Sequence, residues 1–126
     1  MTLPFDETRM RSALQKAWSL KTARQWTAEC PAAGQCNVTA VVVQDIYGGD
    51  ICLTPLDGYD VPHFYNVFDG QRVDLTDSQF DVSPSYDDTP TTRAHAMNWV
   101  TSEEHETLLS ALKTELERNR TNLRQT

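Results

Sequence analysis

The first hydrophobic pattern along the chain is that of an amphipathic helix. Apolar residues recur at the helical spacing i, i+3, i+4 and i+7, at Met10, Ala13, Leu14, Ala17 and Trp18. Asp6 stands before this pattern and is a suitable N-cap, because its carboxylate can accept a hydrogen bond from a free amide of the first turn. Phe5 precedes the cap and can pack back onto Met10. Residues 22–29 predict a second, short helix capped by Thr22.

The most apolar stretch, residues 36–47, predicts a buried helix. Its apolar residues fall on nearly every side: Val38, Ala40, Val41, Val42, Val43 and Ile46. The β-branched content also suits a strand, but the stretch is long for a strand and Gly48-Gly49 is a typical helix stop. We therefore favour a helix that begins at Cys36, directly after Gly34 and Gln35.

After these glycines the pattern changes to short segments rich in strand-forming residues, separated by the turn dipeptides Asp57-Gly58 and Asp69-Gly70. The segments are residues 50–56, 62–68 and 71–76. Together they predict an antiparallel meander of three strands.

The last third of the chain predicts a loop followed by a closing helix. Residues 81–92 are acidic and interrupted by proline, which is typical of a surface loop. Residues 93–100 suit either a strand or a helical turn. Thr101 and Glu104 form a capping box, and one face of the helix that follows carries His105, Leu108, Leu109, Leu112 and Leu116.

These elements predict one α+β domain over residues 1–126. Its N-terminal helices, including the buried helix that starts at Cys36, pack on a small antiparallel sheet, and a C-terminal helix closes the fold. A chain of 126 residues is long enough for one such core. The tail at about residues 120–126 is expected to fray.

Charge and cysteine content exclude several classes of protein. The net charge of −7 repels phosphate backbones and anionic lipid surfaces, so we expect neither nucleic acid nor membrane as a partner. The N-terminal sequence is unlike a signal peptide, which predicts a cytoplasmic protein. Three cysteines without CxxC spacing argue against a disulfide framework, and we expect no cofactor. A zinc site built from them and His63 is the weakest of the interpretations.

The predicted hairpin brings a histidine and an aspartate near each other. If Asp69-Gly70 is a two-residue turn, Asn66 pairs with Val73 and Tyr65 with Asp74. His63 then lies on the same face as Tyr65, diagonally beside Asp74, at a backbone distance of about 7 to 8 Å that a hydrogen bond can bridge. A register slip of one residue puts His63 and Asp74 on opposite faces.

A thiol, an imidazole and a carboxylate together are the groups used for acyl transfer through a thioester. Cys36 at a helix N-terminus is the candidate nucleophile, and its backbone N–H is a natural oxyanion donor. The candidates for the second donor or for the substrate-lining role are Gln35 and Trp26. His95 has no patterned context, and His105 on an apolar stripe suits a structural role.

Two segments carry a family resemblance: CPAAGQCNVTAVVVQDIYGGDI, within residues 26–51, and HFYNVFDGQRVDLTDSQF after it. Over about residues 13–80 the chain resembles the YunG-like family of small bacterial proteins. More distantly, the order of helix-start cysteine, strand histidine and aspartate is similar to the core of transglutaminase-like and papain-like cysteine enzymes. Gln35 stands where those enzymes have an aromatic residue before the cysteine.

The distant resemblance implies Cys36 as nucleophile, His63 as general base and acid, and Asp74 as the residue that orients His63. The predicted function is that of a cysteine hydrolase or acyltransferase acting on an amide of a peptide, a protein or a small molecule. The alternative is a non-enzymatic protein-binding or scaffold domain that retains a papain-like fold.

Overall fold

A computed structural model of the protein describes residues 5–125, and for residues 119–125 it describes the backbone alone. Within these residues four α-helices pack with one four-stranded antiparallel sheet, which confirms the α+β class. The helices are α1 (Glu7–Ala17), α2 (Cys36–Tyr47), α3 (Arg93–Met97) and α4 (Ser102–Gln125). The strands are β1 (Asp50–Thr54), β2 (His63–Phe68), β3 (Gln71–Val73) and β4 (Thr89–Thr91).

Helix α1 begins as its sequence predicts. The carboxylate of Asp6 accepts a hydrogen bond of 3.1 Å from the amide of Arg9, so one of the free first-turn donors is satisfied. The Phe5 ring packs on the rings of Tyr47 and Phe68, with centroids 5.2 and 4.8 Å away. These contacts fix the start of α1 against the end of α2 and the end of β2.

The segment between α1 and α2 is built from turns, so the short helix predicted at residues 22–29 is wrong. The hydroxyl of Thr22 is not free to cap a helix, because it accepts a hydrogen bond from the Ser19 amide and contacts the side-chain carbonyl of Gln35 at 2.8 Å. Trp26 packs against the main core from this irregular segment. Side-chain contacts with distant elements thus outweigh local helix propensity.

Helix α2 is the buried centre of the fold, as predicted. Seven consecutive side chains, from Asn37 to Val43, are buried, and the chain turns out of the helix at Gly48 with a φ of 76°. The side-chain amide of Asn66 in β2 donates a 3.0 Å hydrogen bond to the carbonyl of Ala40. This bond ties the sheet to the middle of α2.

The sheet has the strand order β3-β2-β1-β4, and the three-stranded meander predicted from the sequence forms its first part. Strand β4 lies within residues 81–92, so the prediction of a loop throughout that segment is wrong at its end. β4 pairs with β1, with Pro90 opposite Cys52. Proline lacks an N–H group and is tolerated in a sheet on an edge strand, which is where β4 lies.

The register of the β2-β3 hairpin confirms three of the predicted pairs, while the predicted pair of Tyr65 with Asp74 does not form because β3 ends at Val73. Phe68 pairs with Gln71, Val67 with Arg72, and Asn66 with Val73. Asp69 and Gly70 have φ angles of 50° and 79°, the left-handed values that a type I′ turn requires. The side chains of β2 therefore alternate with His63 and Tyr65 on one face.

The remaining two helices follow β4. Residues 93–97 form α3, which settles the choice between strand and helical turn. The capping box precedes α4: the Thr101 amide donates to Glu104 at 2.9 Å, and the Glu104 amide donates to Thr101 at 3.0 Å. The tail predicted to fray, at about residues 120–126, has side chains that lie outside the described ones. The backbone of α4 continues to Gln125. No helix in the described part of the chain has the length and apolar character needed to cross a bilayer.

The packing of α4 can be tested at Leu112. This side chain is completely buried in the main core, so Leu112→Ala is expected to lower the free energy of unfolding by about 2 to 5 kcal/mol. Chemical denaturation measures the change. Leu20→Ala is the matched control, since Leu20 is 62% exposed and the expected change is below about 0.5 kcal/mol. Equal losses in the two variants would contradict this packing.

Candidate active site

Cys36 is the first residue of α2, where the backbone amides of the first turn have no partner within the helix. The chain reaches this position through Gly34, whose φ of 72° is unfavourable for other residues. The Gln25 side chain lies against Gly34, so a Cβ atom there would collide with it. Glycine at position 34 is therefore required both by the backbone and by packing at the entrance to the helix.

The thiol of Cys36 is half-buried. It donates a hydrogen bond of 3.1 Å to the side-chain carbonyl of Asn37, and Asn37 in turn donates to the carbonyl of Ala96 in α3 at 3.2 Å. The first turn of α2 is thus held by α3 on the side of the thiol.

His63 and Asp74 form a buried pair, as the hairpin register predicts. His63 Nε2 lies 2.7 Å from Asp74 Oδ2, and the two residues are only 1% and 7% exposed. Because Nε2 contacts the Asp74 carboxylate, Nδ1 is the ring nitrogen that can interact with another group. Phe80 packs edge-on against the ring, with centroids 4.8 Å apart, and restricts its rotation.

Asp74 is held ionised by several donors. Burial alone raises the pKa of this carboxyl, but the hydrogen bond and charge of His63, with hydrogen bonds from Tyr86 and Thr76, outweigh burial and keep the pKa below its usual range. The Tyr86 hydroxyl donates to Oδ2 at 2.6 Å, and the Thr76 amide donates to Oδ1 at 3.2 Å.

His63 is correspondingly held protonated. Burial lowers the pKa of its imidazole, but hydrogen bonds and charge interactions with Asp74 and Cys36 outweigh burial and raise the pKa to about 9. The three groups named from the sequence are therefore electrostatically connected in the order Cys36, His63, Asp74.

Cys36 and His63 lie on the wall of one cavity of about 290 Å³. Neither Gln35 nor Trp26 is among the described residues that line it. Gln35 is fully buried and its Oε1 contacts Thr22. Within the described residues, Gln35 Nε2 and Trp26 Nε1 have no acceptor. The structure thus brings Cys36 and His63 to one cavity and His63 to Asp74, while Gln35 and Trp26 lie outside the described cavity lining.

The loop of residues 81–88 covers the face of the sheet that carries the pair. Its Tyr86 is held by Arg72, whose guanidinium lies 4.1 Å above the tyrosine ring. Arg72 also binds both carboxylate oxygens of Asp88 at 2.7 Å, and Asp88 accepts from the Tyr65 hydroxyl at 2.8 Å. Together these contacts position the Tyr86 hydroxyl, which donates to Asp74.

The other cysteines and histidines lie apart from this pair. Cys52 is buried in β1, where burial and the nearby Asp88 raise the pKa of its thiol. His95 contacts the Thr91 hydroxyl at 2.7 Å, and His105 binds Asp45 at 2.6 Å. All three cysteines are unpaired. Among the described residues no three His, Cys, Asp or Glu side chains form a group that could hold a metal ion.

Sequence reasoning missed Tyr86, Asn37, Glu104 and Trp99, the first two as hydrogen-bond partners and the last two as cavity walls. Tyr86 lies in a segment without periodicity, so its contact with Asp74 depends on the tertiary fold. Asn37 had a local signal, since it directly follows the cysteine in the first helical turn.

The fold and this site define a small α+β protein with a cysteine at a helix start beside a buried histidine–aspartate pair. Residues 6–117 match the family described as YunG protein, and the chain belongs to this family. It is 39% identical over 98 residues to the uncharacterized protein YunG of Bacillus subtilis (strain 168). The aligned region covers 78% of this chain and 84% of that protein. No solved structure matches the chain.

The coupling of His63 to Asp74 can be tested by NMR titration of the imidazole. The pKa of His63 is expected near 9. In Asp74→Asn it should fall towards the ordinary 6.5 or below, because burial then lacks the opposing carboxylate charge. His95→Gln and His105→Gln identify the other two histidine signals. A His63 pKa that stays the same in Asp74→Asn would contradict the coupling.

The raised pKa of His63 also makes the stability of the fold depend on pH. Because folding raises the pKa of His63, the stabilisation is complete below about pH 6.5 and is lost as pH rises through about 9. We expect this contribution to amount to about 3 kcal/mol. The difference in free energy of unfolding between wild type and Asp74→Asn, measured by denaturation across this range, should decrease accordingly. A difference independent of pH would argue against it.

Tyr86→Phe tests the donor to Asp74 while the ring on Arg72 is kept. The lost hydrogen bond to a charged group is expected to lower the free energy of unfolding by about 1 to 2 kcal/mol at pH 7. Because the pKa of Asp74 is lowered in the folded state, this loss should be complete above pH 4 and should shrink as the carboxyl protonates. Tyr59→Phe, at a side chain that is 73% exposed, is the control.

Proposed function

We propose that the protein is a cysteine hydrolase or acyltransferase that acts on an amide through a thioester intermediate. The observation that supports this most is that Cys36, at the start of α2, shares a cavity with His63, whose far nitrogen is bound to the buried Asp74 at 2.7 Å. Nucleophile, base and orienting carboxylate are the parts that such chemistry requires.

The first half-reaction forms the acyl-enzyme. The Cys36 thiolate attacks the amide carbonyl carbon, a C–S bond forms, and the carbonyl electron pair moves to oxygen. The His63 imidazolium then gives its Nδ1 proton to the departing nitrogen as the C–N bond breaks. A thioester and a free amine result, and Asp74 keeps the imidazole oriented through Nε2 throughout.

The second half-reaction releases the acyl group. His63, now neutral, takes a proton from water or from an acceptor amine or alcohol, whose heteroatom attacks the thioester carbon. The new bond to the carbonyl forms, the C–S bond breaks, and Cys36 leaves as thiolate beside the imidazolium. Water as acceptor gives hydrolysis, and another nucleophile gives acyl transfer.

The tetrahedral oxyanion needs hydrogen-bond donors. The Cys36 amide is suited to this role because first-turn amides have no partner inside the helix. Gln35 Nε2, a buried donor without an acceptor in the described part of the chain, is the candidate for the second donor. It lies next to Cys36 in sequence, but outside the cavity wall, so this role requires a side-chain rotation. Trp26 Nε1 is the other such donor.

The finer fold proposal is a transglutaminase-like or papain-like core. A cysteine at the start of a buried helix, a histidine at the start of β2 and an aspartate directly after the antiparallel strand β3 follow the same chain order as in those enzymes. We extend the proposal to a cytoplasmic setting, since three unpaired cysteines suit a reducing compartment.

The proposal is tested by alkylation and acylation of the folded protein. Iodoacetamide at pH 7 is expected to modify Cys36 at least about 10-fold faster than Cys30 or Cys52, with the site found by mass spectrometry. His63→Gln, which can still donate to Asp74, should slow Cys36 by about 10-fold or more. The activated ester p-nitrophenyl acetate should give a transient acetyl group on Cys36.

Cys36→Ala and Cys30→Ala are the paired controls: the first removes the acetyl adduct and the second leaves it unchanged. Equal and slow alkylation of all three cysteines, with no acetyl adduct, would overturn the enzymatic proposal. That result would favour a non-enzymatic binding domain.

A further inference from the structure

The walls of the thiol cavity carry a distinct set of side chains. Besides Cys36 and His63, they include the acidic residue Glu104 and two aromatic residues, Tyr59 and Trp99. The other walls are mixed: aliphatic residues, among them Val38, Leu56, Val61, Pro62 and Val100, stand beside the polar residues Thr22, Gln25, Asn37 and Gln79. A volume of about 290 Å³ lies at the lower end of the roughly 300 to 1,000 Å³ of small-molecule sites, so it suits one side chain or a small amide.

Within the described part of the chain, no cationic side chain pairs with Glu104. Its Oε1 accepts a hydrogen bond from the Thr101 amide at 2.9 Å, and among the described residues it forms no salt bridge. No lysine or arginine is among the described lining residues. The positive charge of His63 is matched by Asp74 at 2.7 Å. Glu104 is therefore the acidic residue of the described cavity lining, and no lysine or arginine offsets its charge there.

The two aromatic residues line the same cavity as Glu104. Tyr59 is 73% and Trp99 is 45% exposed, which is unusual for large apolar side chains. Trp99 is supported from behind by the rings of Phe64 and His95, with centroids 5.9 and 5.5 Å away. It is thus held in place while part of its surface remains available. Exposed aromatic faces beside a carboxylate are a suitable environment for an organic cation.

We propose that this cavity binds an amide substrate that carries an ammonium or guanidinium group close to its reacting carbonyl. Glu104 provides the opposite charge, and Trp99 and Tyr59 provide ring faces for the cation. As a statement about a substrate, the inference rests on the proposed acyl-transfer function. The preference of the cavity for cations is separable from that function and can be measured without turnover.

The test uses methanethiosulfonate reagents, which modify a thiol without any need for acyl chemistry. The thiolate attacks the divalent sulfur of the reagent, an S–S bond forms, and methanesulfinate leaves with the bonding electrons. We compare the cationic 2-aminoethyl reagent with the anionic 2-sulfonatoethyl reagent at Cys36 and follow each rate by mass spectrometry. The ratio of the two rates reports the charge in the cavity, and the same ratio at Cys30 is the internal reference.

Glu104→Gln removes the charge and retains the capping box, since glutamine also suits that position of a helix. The cation-to-anion rate ratio at Cys36 is expected to fall about threefold to tenfold, the effect of one nearby charge at a partly solvated site. Glu103→Gln is the matched control, because Glu103 lies in the same first turn, is exposed and is not among the lining residues. Its ratio should stay close to wild type.

Trp99→Leu tests the aromatic part while an apolar side chain is kept. The trimethylammonioethyl reagent is expected to react about twofold to fivefold more slowly in this variant, relative to a neutral alkyl reagent of similar size. Thermal melts of both variants identify any loss of folding. If a variant unfolds, protection of wild-type Cys36 from iodoacetamide by arginine amide, compared with acetamide, provides the same comparison.

Three outcomes would overturn the inference: an unchanged ratio in Glu104→Gln, an equal change in Glu103→Gln, or a Cys36 that none of the reagents reach. A normal acetyl adduct with no charge preference removes this inference and leaves the enzymatic proposal standing. A clear charge preference without any acetyl adduct removes the enzymatic proposal and keeps the preference for cations. The protein then has a cation-binding cavity but does not transfer acyl groups.

Discussion

The buried carboxylate of Asp74 is the constraint on which the rest of the site depends. An ionised carboxylate removed from water is unfavourable by several kcal/mol unless donors and an opposite charge surround it. Here His63 comes from β2, Thr76 from the turn after β3, and Tyr86 from the 81–88 loop. One ionised group thus connects three separate parts of the chain, so the docking of the loop and the charge state of the site are coupled.

The parts of the fold that follow from local signals were predictable. Asp6 and the capping box at Thr101 mark helix starts through short-range hydrogen bonds. Asp69-Gly70 determines a two-residue turn and the register of β2 with β3, and Asp74, the first residue after β3, lies 2.7 Å from His63. The chemistry of that pair follows from a turn dipeptide and from counting residues, and this is why it could be predicted without a structure.

The parts that were not predictable depend on contacts distant in sequence. Residues 22–29 have a helix-like composition, but Thr22 bonds to Ser19 and Gln35. Strand β4 is three residues long and contains Pro90, so it has no recognisable strand pattern and forms because β1 offers it an edge. The contact of Tyr86 with Asp74 and the place of Glu104 in the cavity wall arise in the same way, since no periodicity connects either residue with Cys36, His63 or Asp74.

The strand order has a consequence for association between copies of the chain. Exposed sheet edges are sites where a second chain can add a strand and begin aggregation. Here the outer strands β3 and β4 have three residues each, and the proline in the middle of β4 removes one N–H group from an already short edge. The two longer strands, β1 and β2, lie between them and are paired on both sides. The segment that brings Tyr86 to the site therefore also shields the edge of β1 from intermolecular pairing.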